Sequence, residues 1–458
     1  MRILITGGGD VATHTARRLI REGNEIIIVE RDGDRCDQLE DALDAKVVKG
    51  NAASVKTLRE AGVQDADMLI AVTNADEVNL LTCLIAQAES GVKVKVARVR
   101  THEVEYWRQI CEKTGLHIDL IIHPESLAVD RIMPVLRIPG VSDIVDFADG
   151  RVKLFGTNIE PDHWAVGKTL IEVAKAGAPK NSLVAMIFRG SEVIIPHGQE
   201  KILDGDHIFV VTRREDLDET LQFVGLQQQK SFERVFILGG KQIGIHVAEE
   251  LERQHVSVKL FERDMERCRK ISEILENTIV VNGDGTDAGT LGDENIDGVN
   301  AFLALTGDDE DNLIAAILAR RLGAHKVVAL INRLNYLPMA QRLGINASIS
   351  PRLATVDRIL QFVRKGQVVS VTTFRDEEAE AIEMEASAES RYVGKKLMDI
   401  KLPRGAIVGA VARPDGEVIV PRGHSSIHAG DRVIFFTLES VVPQLESAFL
   451  SEKRRRPW

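Results

Sequence analysis

Three consecutive glycines near the start of the chain, Gly7 to Gly9, have the spacing of a phosphate-binding loop. They follow a short apolar run and precede Ala12, so the motif reads G-x-G-x-x-A between a strand pattern and a helix pattern. In such loops the first glycine permits a tight turn, the second lets the backbone approach a pyrophosphate, and a small third residue keeps helix and strand close. The free N–H groups at the start of the helix then favour an anion.

A carboxylate follows at the spacing that a ribose-binding acid requires. Glu30 ends the second apolar run, 23 residues after Gly7, where it can accept hydrogen bonds from a ribose diol. Arg31 comes next and either accommodates a 2′-phosphate or is a solvated charge, but the preceding carboxylate would repel that phosphate. The pattern therefore favours NAD(H), or else an adenosine nucleotide such as ATP or ADP, over NADP(H).

Further candidates lie at the ends of later strand patterns. Thr73 follows the fourth run and is placed to line the adenine side of a crevice, whereas Arg98 ends the fifth run and points either toward phosphates or to solvent. Asn79 lies early in a helical stretch, where helix capping explains it as well as ligand contact does. The candidate residues of this first site are Gly7, Gly8, Gly9, Asp10, Val11, Glu30, Asn51, Ala52, Thr73, Asn74 and Arg98.

The elements that must position these residues alternate between β-branched apolar runs and amphipathic helical stretches. The predicted strands are 3–6, 25–29, 46–49, 68–72 and 95–98. Strand–helix alternation with strands that are apolar on both faces predicts an α/β fold, a Rossmann-like doubly wound parallel sheet. The segment that follows has short strands, Gly-Asp turns and one helix near 167–175, which predicts a smaller α+β module.

The whole arrangement is written twice in the chain. The matching pairs include RILITGGGDVA with RVFILGGKQIG, ADMLIAVTNADEVNLL with VNAFLALTGDDEDNLI, HPESLAVDRI with SPRLATVDRI, and VGKTL with VGKKL. Matches at a nearly constant offset over this length indicate an internal duplication. Each copy therefore consists of a larger module followed by a smaller one.

The second copy changes the phosphate-binding loop. Lys241 stands where the first copy has Gly9, although the flanking glycines and the acid Glu262 are retained. A side chain at the close-approach position should obstruct a pyrophosphate; alternatively, its ammonium could reach a β- or γ-phosphate and favour ATP or ADP. The second site is either specialised for another phosphate pattern or losing its ligand. Its candidate residues are Gly239, Gly240, Lys241, Gln242, Ile243, Glu262, Asp284, Gly285 and Thr306.

Length, charge and cysteine usage exclude several classes of protein. A chain of 458 residues is long enough for about three to four domains, and a net charge of −11 makes nucleic acid a poor partner. We expect no signal peptide, and no apolar stretch approaches the ~18 residues of a membrane helix. Four cysteines without CxxC spacing indicate reduced cytosolic thiols and no metal site. The cationic segment 453–458 could touch anionic lipid, but a solvated tail is favoured.

The nucleotide motif is not accompanied by a pattern of catalytic residues. Most of the 12 histidines have no counterpart in the other copy, and the smaller modules contain no His-Asp, Ser-Lys or Cys-His constellation. Hydride transfer would need an acid or base beside the cofactor. The sequence therefore predicts a binding protein and not an enzyme. The alternatives are an NAD-dependent oxidoreductase and a ligand-sensing subunit of a different ion transporter.

The pairing of a Rossmann-like module with a small module that contains VGK-L, E-VI-P-G and GD resembles the RCK (regulator of potassium conductance) family. The segments AGVQDADMLIAVTNADEVNLLTCLIA, VARVR and HPESLAVDRI carry this similarity, and two copies in tandem resemble the cytosolic regulatory subunits of bacterial Trk potassium-uptake systems. The resemblance implies a dimer of chains or a tetrameric ring beneath a TrkH- or TrkG-like membrane subunit. It also implies gating by NAD(H) or ATP/ADP at the cytoplasmic face of the membrane.

The resemblance also implies the domain boundaries. The expected parts are a first Rossmann module (1–124), a crossover helix and linker (125–140), a first small module (141–226), a linker (227–233), a second Rossmann module (234–351), a crossover helix (352–366), a second small module (367–452) and a basic tail (453–458). The crossover helices are expected to pair the two Rossmann modules.

Overall fold

The computed structural model describes residues 1–101, 104–226, 232–364, 368–374 and 378–449. Most of the expected linker 227–233 and all of the basic tail 453–458 lie outside these residues. The described chain forms two compact units that interleave in sequence. The first contains residues 1–127 and 351–364, and the second contains residues 128–350 and the described residues from 368 onward.

The first Rossmann module is a parallel six-stranded sheet in the order β3-β2-β1-β4-β5-β6. Its strands are β1 (Arg2–Thr6), β2 (Glu25–Glu30), β3 (Lys46–Lys49), β4 (Met68–Ala71), β5 (Val94–Arg98) and β6 (Leu120–Ile122). Its helices are α1 (Asp10–Arg21), α2 (Gly33–Ala42), α3 (Val55–Glu60), α4 (Asp76–Glu89), α5 (Val104–Thr114) and the crossover helix α6 (Pro124–Val135). The five strands predicted from sequence are confirmed to within one residue, and β6 is an addition.

Both faces of this sheet are buried, which explains its continuous apolar runs. Ile3 and Ile5 join one core cluster, while Leu4 between them joins the cluster on the opposite face. Successive strand residues point to opposite faces, so a run without polar alternation requires cover on both sides. The strand order reverses between β1 and β4, and at such a point a crevice opens beyond the carboxyl ends of the strands.

The first small module is an antiparallel sheet in the order β10-β9-β11-β8-β7. Its elements are β7 (Val141–Phe147), β8 (Val152–Asn158), α7 (Leu170–Lys175), β9 (Ser182–Arg189), β10 (Glu192–Ile194), β11 (His207–Arg213) and α8 (Leu217–Phe223). The predicted helix near 167–175 is α7, which begins with a capping box between Thr169 and Glu172.

The second copy repeats both folds. The second Rossmann module has the order β14-β13-β12-β15-β16-β17 and contains β12 (Arg234–Leu238), α9 (Gln242–Arg253), β13 (Ser257–Glu262), α10 (Met265–Ile274), β14 (Ile279–Asn282), α11 (Ala288–Asp293), β15 (Ala301–Ala304), α12 (Asp309–Arg321), β16 (Val327–Leu330), α13 (Leu337–Arg342) and β17 (Ala347–Ile349). The crossover helix α14 (Pro351–Val363) follows. The second small module has the order β18-β19-β22-β20-β21 and contains β18 (Val368–Phe374), β19 (Ala379–Glu385), β20 (Ala406–Ala412), β21 (Val418–Ile419), β22 (Arg432–Leu438) and α15 (Val442–Phe449).

The two small modules differ at the position of α7. The second copy has only a 3-10 turn there, Leu397–Asp399, whose preceding residue Lys396 makes no side-chain cap. Lys396 replaces Thr169 of the first copy, and a lysine cannot accept the hydrogen bond with which threonine caps a helix. The helix predicted near 167–175 is therefore present in the first copy, and its repeat counterpart is a 3-10 turn.

Within the second unit the two small modules share one hydrophobic core. Phe147 packs edge-on against Phe436 with ring centroids 6.4 Å apart, and Phe209 meets Phe374 at 4.8 Å. Polar contacts join the same surfaces, including an ion pair between Asp149 and Arg432 at 2.9 Å. The internal duplication thus produces two sheets that cover each other's apolar face. A sheet that is apolar on one face must bury that face against another element.

The crossover helix α14 belongs to the first unit although it follows the second Rossmann module in sequence. Val356, Ile359 and Leu360 join the core cluster that contains Ala16 and Leu19 of α1. Conversely, Ala128 and Ile132 of α6 join the core of the second Rossmann module. Each Rossmann sheet is therefore completed by apolar residues of the other copy's crossover helix. Among the described residues, no helix combines the length and hydrophobicity that a bilayer crossing requires.

A fully buried lysine ties α6 to the second Rossmann module. The Lys326 ammonium donates hydrogen bonds to the carbonyl oxygens of Val135, Ile138 (2.7 Å) and Val141 (2.8 Å). Val135 ends α6, and a cation favours the carbonyl end of a helix. Burial lowers the pKa of Lys326 from 10.5 to about 7, opposed by the charge of Asp143.

This buried lysine predicts a stability that rises with pH. Its pKa is lower in the folded than in the unfolded chain, so between pH 7 and 9 the unfolded chain binds more protons, and the free energy of unfolding should increase by about 2 kcal/mol. Above pH 9 the Cys83 thiol, whose pKa burial raises to about 12, acts in the opposite direction. Scanning calorimetry at pH 7, 8 and 9 should show the rise in the native chain and a flat profile in Lys326→Met. Parallel profiles would contradict this account.

Candidate functional site

A cleft of about 470 Å³ lies beyond the carboxyl ends of β1, β2, β4 and β5. All eleven candidate residues of the first site line it: Gly7, Gly8, Gly9, Asp10, Val11, Glu30, Asn51, Ala52, Thr73, Asn74 and Arg98. Arg31, Arg35 and Arg352 also line it. Gly7 and Arg98 are 91 positions apart in the sequence, yet the fold brings them to one concave surface. We call this surface the first cleft.

The glycine loop has different requirements at its first and third positions. Gly7 adopts φ of +95°, and a Cβ there would lie 2.9 Å from the Thr73 Cα, so the turn itself demands glycine. Gly9 has an extended backbone, with φ of −70° and ψ of −178°, and a Cβ there would have no neighbour within 4 Å. No described residue requires a glycine at this third position. An open glycine facing the cleft is what close approach of a ligand backbone or phosphate needs.

The start of α1 presents backbone N–H groups to the first cleft. Gly9 occupies the N-cap position, and no side chain caps the helix. The first N–H groups of a helix have no partner within the helix, and together with the helix dipole they attract anions. This end of the cleft suits a phosphate.

Backbone N–H groups fix the orientation of the Glu30 carboxylate. One oxygen accepts from Gly8 at 2.5 Å, and the other accepts from Arg31 at 2.6 Å and Asp32 at 2.9 Å. Oε1 thereby uses both of its lone pairs, whereas Oε2 keeps one, so the group can still accept from a ribose hydroxyl. The carboxylate is held in place before any ligand arrives.

Asn79 lies behind the wall of the first cleft and is fully buried. Its Oδ1 accepts from the backbone N–H and the hydroxyl of Thr73 at 2.8 and 2.7 Å, and its Nδ2 donates to the carbonyls of Thr73 and Arg98 at 3.1 and 2.8 Å. The hypothesis that Asn79 caps a helix is wrong, because Ala75 is the N-cap of α4. Asn79 instead ties together the ends of β4 and β5. Asn312 makes the same four bonds in the second copy.

Arg98 is a buried charge and not a solvated one. Its Nη2 donates to the Thr73 carbonyl at 2.7 Å and to the Asn74 Oδ1 at 2.9 Å, and the side chain lines the first cleft. Burial lowers the pKa of Arg98, and the neighbouring Arg100 adds to this effect. The sequence alignment pairs Arg98 with Ile331, but the structure places Leu330 at the equivalent position, where its carbonyl accepts from Asn312 as that of Arg98 accepts from Asn79. Leu330 is buried and apolar, so the second module lacks this cation.

Two arginines of the first cleft escape prediction from the motif. Arg35 on α2 donates to the Gly8 carbonyl at 2.7 Å and to the Thr13 hydroxyl at 3.0 Å, which braces the glycine loop. Its repeat counterpart Arg267 likewise donates to Gly240 at 2.7 Å. The shared Arg-Cys pair of both copies was a usable signal for Arg35. Arg352 has no such signal, since it comes from α14.

The second site keeps the path of the loop but fills the space in front of it. Gly239 has φ of +108°, and Lys241 has φ of −84° and ψ of −179°, close to the values at Gly9. The Lys241 ammonium lies 2.5 Å from where a Cβ on Gly307 would be. Gly307 replaces Asn74 of the first copy, so the loss of one side chain makes room for the gain of the other.

An arginine bridges the second site on its other side. Arg263 donates to Asp284 at 2.8 Å and pairs with Asp311 at 3.1 Å; its pKa is raised, chiefly by the bond to Asp284. The corresponding residues of the first copy are Arg31, Asn51 and Val78, which cannot form this bridge.

The remaining residues of the second site have mainly structural partners. Glu262 accepts from Gly240 at 3.1 Å, and the hydroxyl of Thr306 bonds to Asn312. Gly285 has the side chain of Leu238 beside it. Gln242 and Ile243 begin α9.

The chain matches two family models along most of its length. The TrkA-N domain matches residues 3–124 and 235–351, and the TrkA-C domain matches residues 156–225 and 381–450. The Trk system potassium uptake protein TrkA of Vibrio alginolyticus is 38% identical over 455 residues, which cover 98% of each chain.

Solved structures share the architecture. The crystal structure of the GsuK RCK domain superposes with a TM-score of 0.59 at 18% identity, covering 98% of this chain and 95% of that one. The GsuK channel bound to NAD gives 0.58 at 18% identity, covering 98% and 78%. At this identity the likeness concerns the fold alone.

The fold and the cleft define a duplicated α/β protein, in which each copy joins a TrkA-N Rossmann module to a small α+β TrkA-C module. The chain belongs to the TrkA family, the regulatory subunits of potassium uptake. This family is not enzymatic, so the alternative of an NAD-dependent oxidoreductase is wrong.

Proposed function

We propose that this protein is the nucleotide-sensing gating subunit of a bacterial Trk-type potassium-uptake system and that its first cleft binds NAD(H). The observation that carries the proposal is the glycine at position 9, where a side chain would meet no contact from the described part of the chain. The GsuK channel, which shares this fold, has a structure bound to NAD, and this supports the same ligand class for the first cleft. ATP or ADP would place its phosphates on the same loop.

The first cleft offers one group for each part of a dinucleotide. The start of α1 receives the pyrophosphate, Glu30 accepts from the adenosine ribose, and Thr73 with Asn74 lines the adenine side. A 2′-phosphate beside the fixed Glu30 carboxylate would be repelled, so NADP(H) is disfavoured.

Gating requires that the ligand bind two conformations of the assembled protein with different affinity. A near-complete switch needs about 5.5 kcal/mol of difference, which several clefts in one assembly can supply together. We propose that chains assemble as dimers or a tetrameric ring at the cytoplasmic face of the membrane and bind a TrkH- or TrkG-like potassium-translocating subunit there.

Titration calorimetry of the full chain with NAD, NADH, ATP and ADP tests the ligand. The second test is potassium flux in vesicles that contain the membrane subunit, measured with the chain present and absent and with each nucleotide. Binding of an adenine nucleotide together with a nucleotide-dependent flux supports the proposal. A chain that binds none of the four, or a flux that ignores the bound nucleotide, overturns it.

We further propose that the second site excludes dinucleotides because Lys241 and the Arg263 bridge occupy the space in front of the loop. Native chains should then bind one NAD each, and the double variant Lys241→Gly with Asp311→Val should bind two. The matched control is the double variant Lys270→Ala with Glu273→Ala, which likewise removes one positive and one negative charge, both from exposed positions of α10. Calorimetric stoichiometry is the readout, with ATP and ADP as parallel ligands. A native stoichiometry of two NAD per chain would refute the exclusion.

A further inference from the structure

Arg352 brings a cation from the second half of the sequence into the first cleft. It lies in the first turn of α14, forms an ion pair with Asp10 at the start of α1, and lines the cleft. Its side chain is 36% exposed and that of Asp10 is 43% exposed. The pair is therefore accessible from the space that a ligand would occupy.

A second ion pair joins the same two helices at their other ends. Arg364, twelve residues after Arg352, pairs with Glu22, twelve residues after Asp10. This pair is buried, with side-chain exposures of 5% and 14%, and apolar residues such as Leu19 and Ile359 fill the seam between the pairs. Two ion pairs therefore join α14 to α1. The pair in the cleft is accessible, and the pair at the other end of the helices is buried.

The Asp10 carboxylate would repel a phosphate bound in the first cleft. It is the acidic residue of the first turn of α1, where the helix dipole favours an anion, and a phosphate binding there would meet its negative charge. A guanidinium has five donors and a geometry that matches two phosphate oxygens. Arg352 can therefore exchange a carboxylate oxygen for phosphate oxygens. Asp10 would keep a cationic neighbour, since Arg35 lies 3.7 Å away.

We propose that Arg352 is a phosphate-binding residue supplied to the first cleft by the crossover helix of the second copy. When a pyrophosphate arrives, Arg352 leaves Asp10 for the phosphate, while Glu22 and Arg364 hold the distal end of α14. Occupancy of the cleft thereby changes a contact of the crossover helix. This inference rests on the nucleotide role proposed above and extends it to the residue that reports occupancy.

The exchange of Arg352 between Asp10 and a phosphate is specific to the first cleft, because the repeat counterpart of Arg352 is Glu125 of α6. Glu125 is buried and pairs with Arg100 at 3.2 Å within the first unit. A carboxylate at this position cannot donate to a phosphate. The two crossover helices have thus diverged at the residue that matters for ligand binding.

The test compares Arg352→Gln with Arg358→Gln in the full chain. Arg358 is an exposed residue of the same helix that bonds to Gln361, so its replacement removes an equal charge. Calorimetry with NAD, ADP and adenosine should show affinity for NAD and ADP reduced about tenfold or more in Arg352→Gln, unchanged affinity for adenosine, and native affinities in Arg358→Gln. Loss of adenosine binding as well would reveal a structural role and overturn the proposal.

Asp10→Asn gives the opposite expectation and keeps the proposal testable if Arg352→Gln does not fold. Removing the competing carboxylate should raise the affinity for NAD and ADP several-fold and leave adenosine unaffected. Unchanged or weaker phosphate-dependent binding contradicts the exchange. If the native chain binds neither NAD nor ADP, the proposed function fails and this inference with it. If it binds both, and Arg352→Gln binds them equally well, the inference alone fails.

Discussion

Replacing Gly9 with lysine is expected to weaken NAD binding to the first cleft by at least about 100-fold, or about 2.7 kcal/mol, without changing the thermal stability of the chain. Among the described residues, no atom lies within 4 Å of a Cβ built on Gly9, so the substitution disturbs no packing at the backbone. The flexible end of the lysine can turn into the open cleft and away from the Asn74 side chain. Lys241 shows that the same loop path accepts a lysine with an ordinary extended backbone. The side chain would instead fill the region where a pyrophosphate must approach.

The matched control is Gly91→Lys. Gly91 is exposed, has no neighbour within 4 Å of a built Cβ, and lies beyond α4, outside the residues that line the cleft. Both variants add one positive charge, so the net charge of the chain changes equally. Native affinity in Gly9→Lys would show that the glycine loop does not hold the phosphates. A large fall in the unfolding temperature of Gly9→Lys would show that position 9 serves folding.

Asn79→Ala is expected to lower stability by about 3 kcal/mol and to weaken NAD binding by about tenfold. The substitution removes four hydrogen bonds from a fully buried amide and leaves the Thr73 and Arg98 carbonyls without this donor. Thr73, Asn74 and Arg98 form one wall of the first cleft, and Asn79 is what holds the two strand ends together. Loss of this support should blur the geometry that a bound nucleotide needs.

Asn312→Ala separates the two effects. Asn312 makes the equivalent four bonds in the second Rossmann module, so its replacement should destabilise that unit by a similar amount while NAD binding to the first cleft stays native. Chemical denaturation measures the first effect and calorimetry the second. Equal losses of NAD affinity in both variants would mean that general destabilisation, and not the wall of the cleft, determines binding.

The interleaving of the two copies also bears on how the protein should be studied. A cut between residues 226 and 231 would separate α14 from the first unit. It would remove the apolar cover that Val356 and Ile359 supply and the cation of Arg352. The ligand preferences of the two sites are better distinguished by single substitutions in the whole chain.

The sequence alone was sufficient for the fold class, the duplication and eleven of the residues that line the first cleft. These features depend on rules that act along a short stretch of chain. Apolar runs predict the strands, a turn with positive φ requires glycine, and the spacing between the loop and Glu30 is fixed. Gly7 shows this well, because its φ of +95° and its contact with Thr73 follow from the turn that the motif encodes. The difference between Gly9 and Lys241 was equally visible without coordinates.

The tertiary structure alone decided which distant residues complete each unit. Arg352 meets Asp10 across 342 positions of sequence, and Lys326 finds the carbonyls at the end of α6 across 191. The Arg263 bridge and the shared core of the small modules are of the same kind. Such partnerships arise from the packing of whole helices and sheets on one another, and no rule of spacing or composition along the chain specifies them. The sequence thus predicts the loop that would hold a phosphate, whereas only the packing of α14 on α1 shows which cation stands opposite that loop.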